Sequence, residues 1–204
     1  MARQQYRKNI IVPTGILSYP WLTQGNHDVR FGAGKYKTNS VISGPEAEKF
    51  MAELEVIKAE ALAHLQQDDA SLKDLKLPVD EAKDDEGNVI AGSWVVKAKA
   101  NAEFKNPDGT TSPNELVIVD ANKTRMHGPV NIWSGTKAKL AVQVGAVNTA
   151  IYKGIVFRLN GVQIIDLVSG GGVDLFDKED GFTAEPQAAP VKQPEVAEPD
   201  EVHF

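Results

Sequence analysis

Two periodicities run along the chain, and they divide it into elements. From Ser93 the period is two: Trp94, Val96, Ala98, Ala100, Ala102 and Phe104 point one way, and Val95, Lys97, Lys99, Asn101 and Glu103 the other. On this alternation Trp94, Phe104 and, further on, Phe157 are expected in the core. The same period recurs at 136–147, where Ala138, Leu140, Val142 and Val144 face in and Lys137, Lys139 and Gln143 face out. It recurs at 153–168, until Gly161 breaks it as a bulge or barrel corner would. Residues 9–19 and 34–42 predict two earlier strands, with Pro13 and Gly15 bending the first and Lys35 and Lys37 alternating with Tyr36 in the second. Leu116 to Val119 predicts a short buried strand. The one helical period lies between: Phe50, Leu54, Ile57, Ala61 and Leu65 form one apolar face, which predicts a helix to about Gln67. Ser43-Gly44-Pro45-Glu46 before it reads as a capping box with Ser43 at the N-cap. Residues 68–91 show neither period and read as an acidic connection. Glu86-Gly87-Asn88 and Asn106-Pro107-Asp108-Gly109 read as turns.

Five or more strands with one helix after the second predict a mostly β fold. The best fit is a small, closed, mostly antiparallel five-stranded barrel; an open α+β sheet is the alternative. The domain spans 1–172, with the helix at 44–67 and the acidic connection at 68–91. Residues 173–204 are too poor in apolar groups and too rich in Pro and acids to form a core, and are expected to be a disordered acidic tail.

Charge changes the picture more than composition does. The net charge of −6 conceals a division into three. Residues 46–86 hold thirteen acids against five bases, a net of −8, and 173–204 hold nine against two, a net of −7. The remainder carries fifteen bases against six acids, a net of +9. A basic body with two acidic appendages is hidden behind a sequence pI near 5.3. The absence of cysteine excludes disulfides, thiolate metal sites and thiol nucleophiles. No apolar run reaches the ~18 residues of a membrane span, so a soluble intracellular protein is expected.

Catalytic chemistry finds few tools here. Neither a phosphate-binding loop nor a dinucleotide fingerprint is present, and His27, His64, His127 and His203 lack ligand spacing. No cofactor and no enzyme activity are expected. Bases and aromatics, by contrast, are interleaved: Tyr19, Trp21, Arg30, Phe31, Lys35, Tyr36 and Lys37, then Lys97, Lys99, Trp133, Lys137, Lys139, Tyr152, Lys153 and Arg158. Lys and Arg neutralise phosphates, and aromatic faces stack on unpaired bases, so these residues are candidates for a single-stranded nucleic-acid surface. Two other readings stand beside this one: a module whose basic surface binds an acidic protein, and a metal-dependent nuclease using clustered acids.

Four segments carry a resemblance to a known family. They are R-F-G-A-G-K-Y-K (30–37), K-A-K-L-A-V-Q-V-G-A-V-N-T-A (137–150), the strand ending G-V-Q-I-I-D-L-V, and G-G-G-V-D-L-F-D (170–177), followed by the acidic tail and terminal Phe204. Together they resemble the replication single-stranded-DNA-binding protein of tailed bacteriophages, in particular the short-tailed coliphage type. The resemblance implies an OB-like barrel, DNA binding with little sequence preference, a role in phage replication and recombination, and a homodimer. It implies a location in the cytoplasm of an infected bacterial host. It places the groove on Arg30, Phe31, Lys35 and Tyr36. It assigns Asp200, Glu201 and Phe204 to contacts with the phage DNA polymerase and helicase-primase, and it implies a tail that lies over the groove when DNA is absent.

Overall fold

A computed structural model describes residues 5–23, 34–127 and 130–169. The chain divides into two compact units, Met1–Gly171 and Gly172–Phe204, and the second lies outside the described residues together with the expected acidic tail.

The described elements are β1 (Arg7–Trp21), β2 (Lys35–Ser43), α1 (Pro45–Gln66), β3 (Val79–Lys83), β4 (Val89–Asn101), β5 (Glu103–Lys105), β6 (Thr111–Pro113), β7 (Val117–Val119), β8 (Lys137–Asn148) and β9 (Lys153–Asp166). Five of them close into a barrel. The order runs β4–β2–β1–β8–β9, and β9 meets β4 again. Four seams are antiparallel and the closing one, β4–β9, is parallel. This is the expected mostly antiparallel barrel, and its one parallel seam has a geometric reason. An odd number of strands cannot alternate direction all the way round a ring. β3 extends the sheet beyond β4, and β7 extends it beyond β9.

β1 is long because it serves two neighbours. Its first half pairs with β8 and its second half with β2, and the register shifts between Val12 and Gly15 and again between Ser18 and Trp21. The first shift needs Gly15. A Cβ there would come within 2.7 Å of the Val41 carbonyl and collide with the Ser40 hydroxyl. The barrel interior is filled by the predicted inward positions Val96, Leu140, Val142 and Phe157, and with them by Val12, Leu17, Ile42 and Ile155.

α1 packs against β1, β2, β4 and β8 with Ala47, Phe50, Leu54, Ile57 and Ala61 buried. The expected capping box does not form. Ser43 is the last residue of β2, paired with Ser93 and extended, so the N-cap passes to Gly44 at φ 80° with Pro45 behind it. Glu46 and Glu48 in the first turn complement the helix dipole. Near the other end, the Tyr6 hydroxyl donates to Glu60 Oε2 at 3.0 Å, and Lys8 Nζ lies 3.0 Å from the same oxygen. Burial, then the hydrogen bond to Glu60, push the Tyr6 phenol up to about 12.

The stretch 68–91, expected as a connection, contains β3 and the start of β4, joined through the predicted Gly87 turn. Its first part is pinned to β9. Lys76 donates its amide to the Lys153 carbonyl at 3.2 Å and accepts from the Ile155 amide at 2.8 Å. Asp69 accepts from the Ser71 hydroxyl and from Asn148 Nδ2, with Lys153 Nζ at 3.6 Å; these partners, Ser71 foremost, hold its carboxyl down to about 2.

Candidate nucleic-acid interface

Antiparallel partners project to the same face of a sheet, so register can be followed from strand to strand. Starting at Asn9 on β1, the partners are Gln143 on β8, Arg158 on β9, Lys99 on β4, Lys37 on β2 and Trp21, again on β1. This row winds once around the outside of the barrel, and the strand tilt brings it back to β1 further along. It sets three cations side by side on three strands. Lys99 and Arg158 are exposed, and among the described residues neither has a carboxylate partner. Lys35, paired with Asn101, adds a fourth cation on the same face of β2.

Trp21 ends the row in an aromatic cluster. Lys37 Nζ sits 5.1 Å from the centre of the Trp21 ring, a cation–π contact. Tyr19, Pro20, Trp21, Ile132, Trp133 and Ser134 line a shallow depression of about 260 Å³. Tyr19 is 74% exposed and Trp133 55%. Tyr19 holds a positive φ of 50°, a conformation that costs a non-glycine residue ~1–3 kcal/mol. The fold holds it there: the Tyr19 amide donates to Ser134 Oγ at 3.1 Å, and the Gly135 amide to the Leu17 carbonyl at 2.9 Å. The β1 bulge and the 132–135 loop therefore present flat aromatic faces beside the cationic row.

The sequence candidates separate into groups on this frame. Tyr19, Trp21, Lys35, Lys99 and Trp133 belong to the row or its aromatic end. Lys97 shares the outer face of β4 but is ion-paired to Asp80 of β3. Tyr36 is corrected: it is 4% exposed and points into the barrel, where burial first and the Glu115 charge second raise its phenol above the ordinary tyrosine value. Its neighbours Lys35 and Lys37 face out, so strict alternation requires it to face in. Tyr152 is a structural residue of the β8–β9 turn, its hydroxyl donating to the Ile155 carbonyl at 2.9 Å. Lys153 is tied to Asp69, and Lys137 lies 3.7 Å from Asp166. Lys139 lines an apolar groove with Ile11 and Val117. Arg30 and Phe31, like Asp200, Glu201 and Phe204, lie outside the described residues.

Arg158, one of the bases interleaved with aromatics in the sequence, is the centre of the row. One expectation of the alternation failed. Phe104, expected in the core, is 55% exposed. The chain bends at Ala102, whose amide donates to the Gly34 carbonyl, and Phe104 then falls on the separate β5–β6 hairpin. The alternation continues through the bend in sequence but not in space. Among the described residues no group of three His, Asp or Glu side chains could hold a metal ion.

The closed ring with a helix between its second and third barrel strands is an OB-like fold. No family model and no curated sequence matches the chain. Solved structures do. One is gp2.5, a single-stranded DNA binding protein encoded by bacteriophage T7: TM-score 0.64 at 22% identity, covering 88% of this chain and 100% of that one. Another is the single-stranded DNA-binding protein from bacteriophage Enc34 in complex with ssDNA: TM-score 0.54 at 15% identity, covering 80% and 89%. The expected architecture is thus the one shared with phage proteins of this type.

Proposed function

We propose that this protein binds single-stranded DNA with little sequence preference and catalyses no reaction. The observation that carries the reading is the row Trp21–Lys37–Lys99–Arg158. Adjacent strands lie ~4.8 Å apart, so three neighbouring strands set cations in a line across the sheet, where they can reach several phosphates of one strand. The aromatic end supplies stacking faces that a duplex, with its bases paired, would not offer. The solved phage single-stranded-DNA-binding proteins of the same fold support the reading.

The finer proposal concerns the acidic tail and the setting. A net −7 segment tethered to a net +9 body meets that body's cationic face at high effective concentration, so DNA must compete with it. Once displaced, the tail with Asp200, Glu201 and Phe204 is available to replication partners such as a phage polymerase or helicase-primase. A place in phage DNA replication and recombination, in the host cytoplasm and as a homodimer, belongs to this proposal.

Anisotropy titrations test both levels. Labelled oligo-dT and a matched duplex are titrated with the full chain and with a chain ending at Gly172, over a salt series. The single strand should bind far more tightly, with log K falling by about 0.7 per log salt for each phosphate neutralised. The shortened chain should bind more tightly still at low salt. Equal binding of duplex and single strand would sink the function, whereas unchanged affinity on shortening would remove only the tail's role.

A further inference from the structure

The row leads into a second, larger recess that the aromatic end does not touch. A cleft of about 550 Å³ opens between the β5–β6 hairpin and the outer face of β9, with Lys99, Arg158, Arg7, Asn101 and Phe104 in its walls. Arg7 and Arg158 also line an adjoining cleft of about 280 Å³ that reaches His64 near the end of α1. The two recesses share their cations and so form one trough leading away from the row.

Phe104 is the conspicuous apolar group of this trough. The hairpin that carries it forms its own two-stranded sheet. It is anchored at its base by Asn114, whose amide donates to the Ala102 carbonyl at 2.7 Å and whose Nδ2 donates to the Asn101 carbonyl at 2.6 Å. Its tip is braced by Asn106, which donates to Thr110 Oγ1 and Ser112 Oγ. A braced hairpin thus holds a half-exposed phenyl ring over a cleft walled by two arginines and a lysine. A core residue would be covered, whereas this ring stands over a cationic cleft. An exposed ring beside phosphate-binding cations fits an unpaired base.

Resting on the proposed single-strand binding, we infer that the β5–β6 hairpin is a clamp. Phe104 stacks on a base of the bound strand while Arg158 and Arg7 hold the flanking phosphates, carrying the strand off the barrel face into the trough. The site takes an unpaired nucleotide of any sequence, because every base offers a π-face.

Three proteins and two ligands test this. Wild type, Phe104→Ala and Phe104→Trp are titrated with oligo-dT and with an abasic strand of the same length. Phe104→Ala should weaken oligo-dT binding roughly five- to 150-fold, the range for losing one stacked base, with an unchanged salt slope. It should leave the abasic strand's affinity unaltered, and Phe104→Trp should restore oligo-dT binding. Equal losses on both strands, or no loss on either, would overturn the clamp while leaving the row's function standing. Failure of the wild type to bind oligo-dT would overturn both.

Discussion

Lys99 and Arg158 are paired across the one parallel seam of the barrel. They stand 59 positions apart in sequence (158 minus 99) and meet only because four antiparallel turns bring β9 back beside β4 in the same direction. The seam that closes the fold is therefore also the centre of the cationic row. Fold closure and the proposed binding row share one seam.

Removing both charges should show this. For Lys99→Ala/Arg158→Ala, two fewer phosphates are neutralised, and the slope of log K against log salt should flatten by about 1.4, at ~0.7 each. The far-UV spectrum should be unchanged, since both side chains are exposed. A preserved slope would place the phosphate path elsewhere.

At the aromatic end the loss should be of a different kind. Trp133→Ala should weaken oligo-dT binding by ~1–3 kcal/mol without altering the salt slope, because stacking releases no counterions. Quenching of tryptophan fluorescence by oligo-dT should also decrease in this variant. Trp21→Ala should likewise weaken binding, but by removing the ring that positions Lys37 it should also flatten the salt slope, with a loss that grows at low salt.

Gly154 tests the pinning of the 68–78 stretch. A Cβ at Gly154 would sit 2.7 Å from the Lys76 carbonyl, which is backbone and cannot swing aside. Gly154→Val should lower stability by ~1–3 kcal/mol, read as a lower urea midpoint. Gly145→Ala, whose Cβ would make an ordinary 3.4 Å contact with Val156, is the control and should be near neutral.

Asp69 gives a pH dependence. Its carboxyl is held down to about 2 in the folded protein against an ordinary 3.8, so the unfolded chain takes up its proton first as pH falls. The stabilisation is full above pH ~4 and is lost as pH drops from there towards ~2. In Asp69→Asn, this part of the acid sensitivity should vanish. Urea midpoints of the two proteins should converge towards pH 2 and separate at neutral pH; parallel curves would show that Asp69 contributes nothing to acid sensitivity.

How far the sequence could be read varied from element to element, for physical reasons. Long strands with one buried face announce themselves: Ala138, Leu140, Val142 and Val144 alternate with polar residues, and β8 lies where they predict. α1 follows its 3.6 period to within one residue of the expected end. β3 was hidden because an edge strand has little to bury; of Val79–Lys83 only Ala82 is buried. Phe104 misled because alternation is a property of a continuing strand, and the chain bends at Ala102. Ser43 misled because its local motif competed with strand pairing, and the pairing with Ser93 prevailed.

By itself the sequence determined the mostly β class, the position of the helix, the separation of charge into a basic body and acidic appendages, and the inward and outward faces of β4 and β8. These follow from local periodicity and composition, which act within a few residues. Only the tertiary structure decided which outward residues stand together. The row Trp21–Lys37–Lys99–Arg158 draws on β1, β2, β4 and β9, and its existence depends on register, two bulges in β1 and the tilt of a closed ring. A shift of two residues in any of those pairings would keep each strand's buried face and yet separate these side chains, and the alternation alone does not distinguish the two registers.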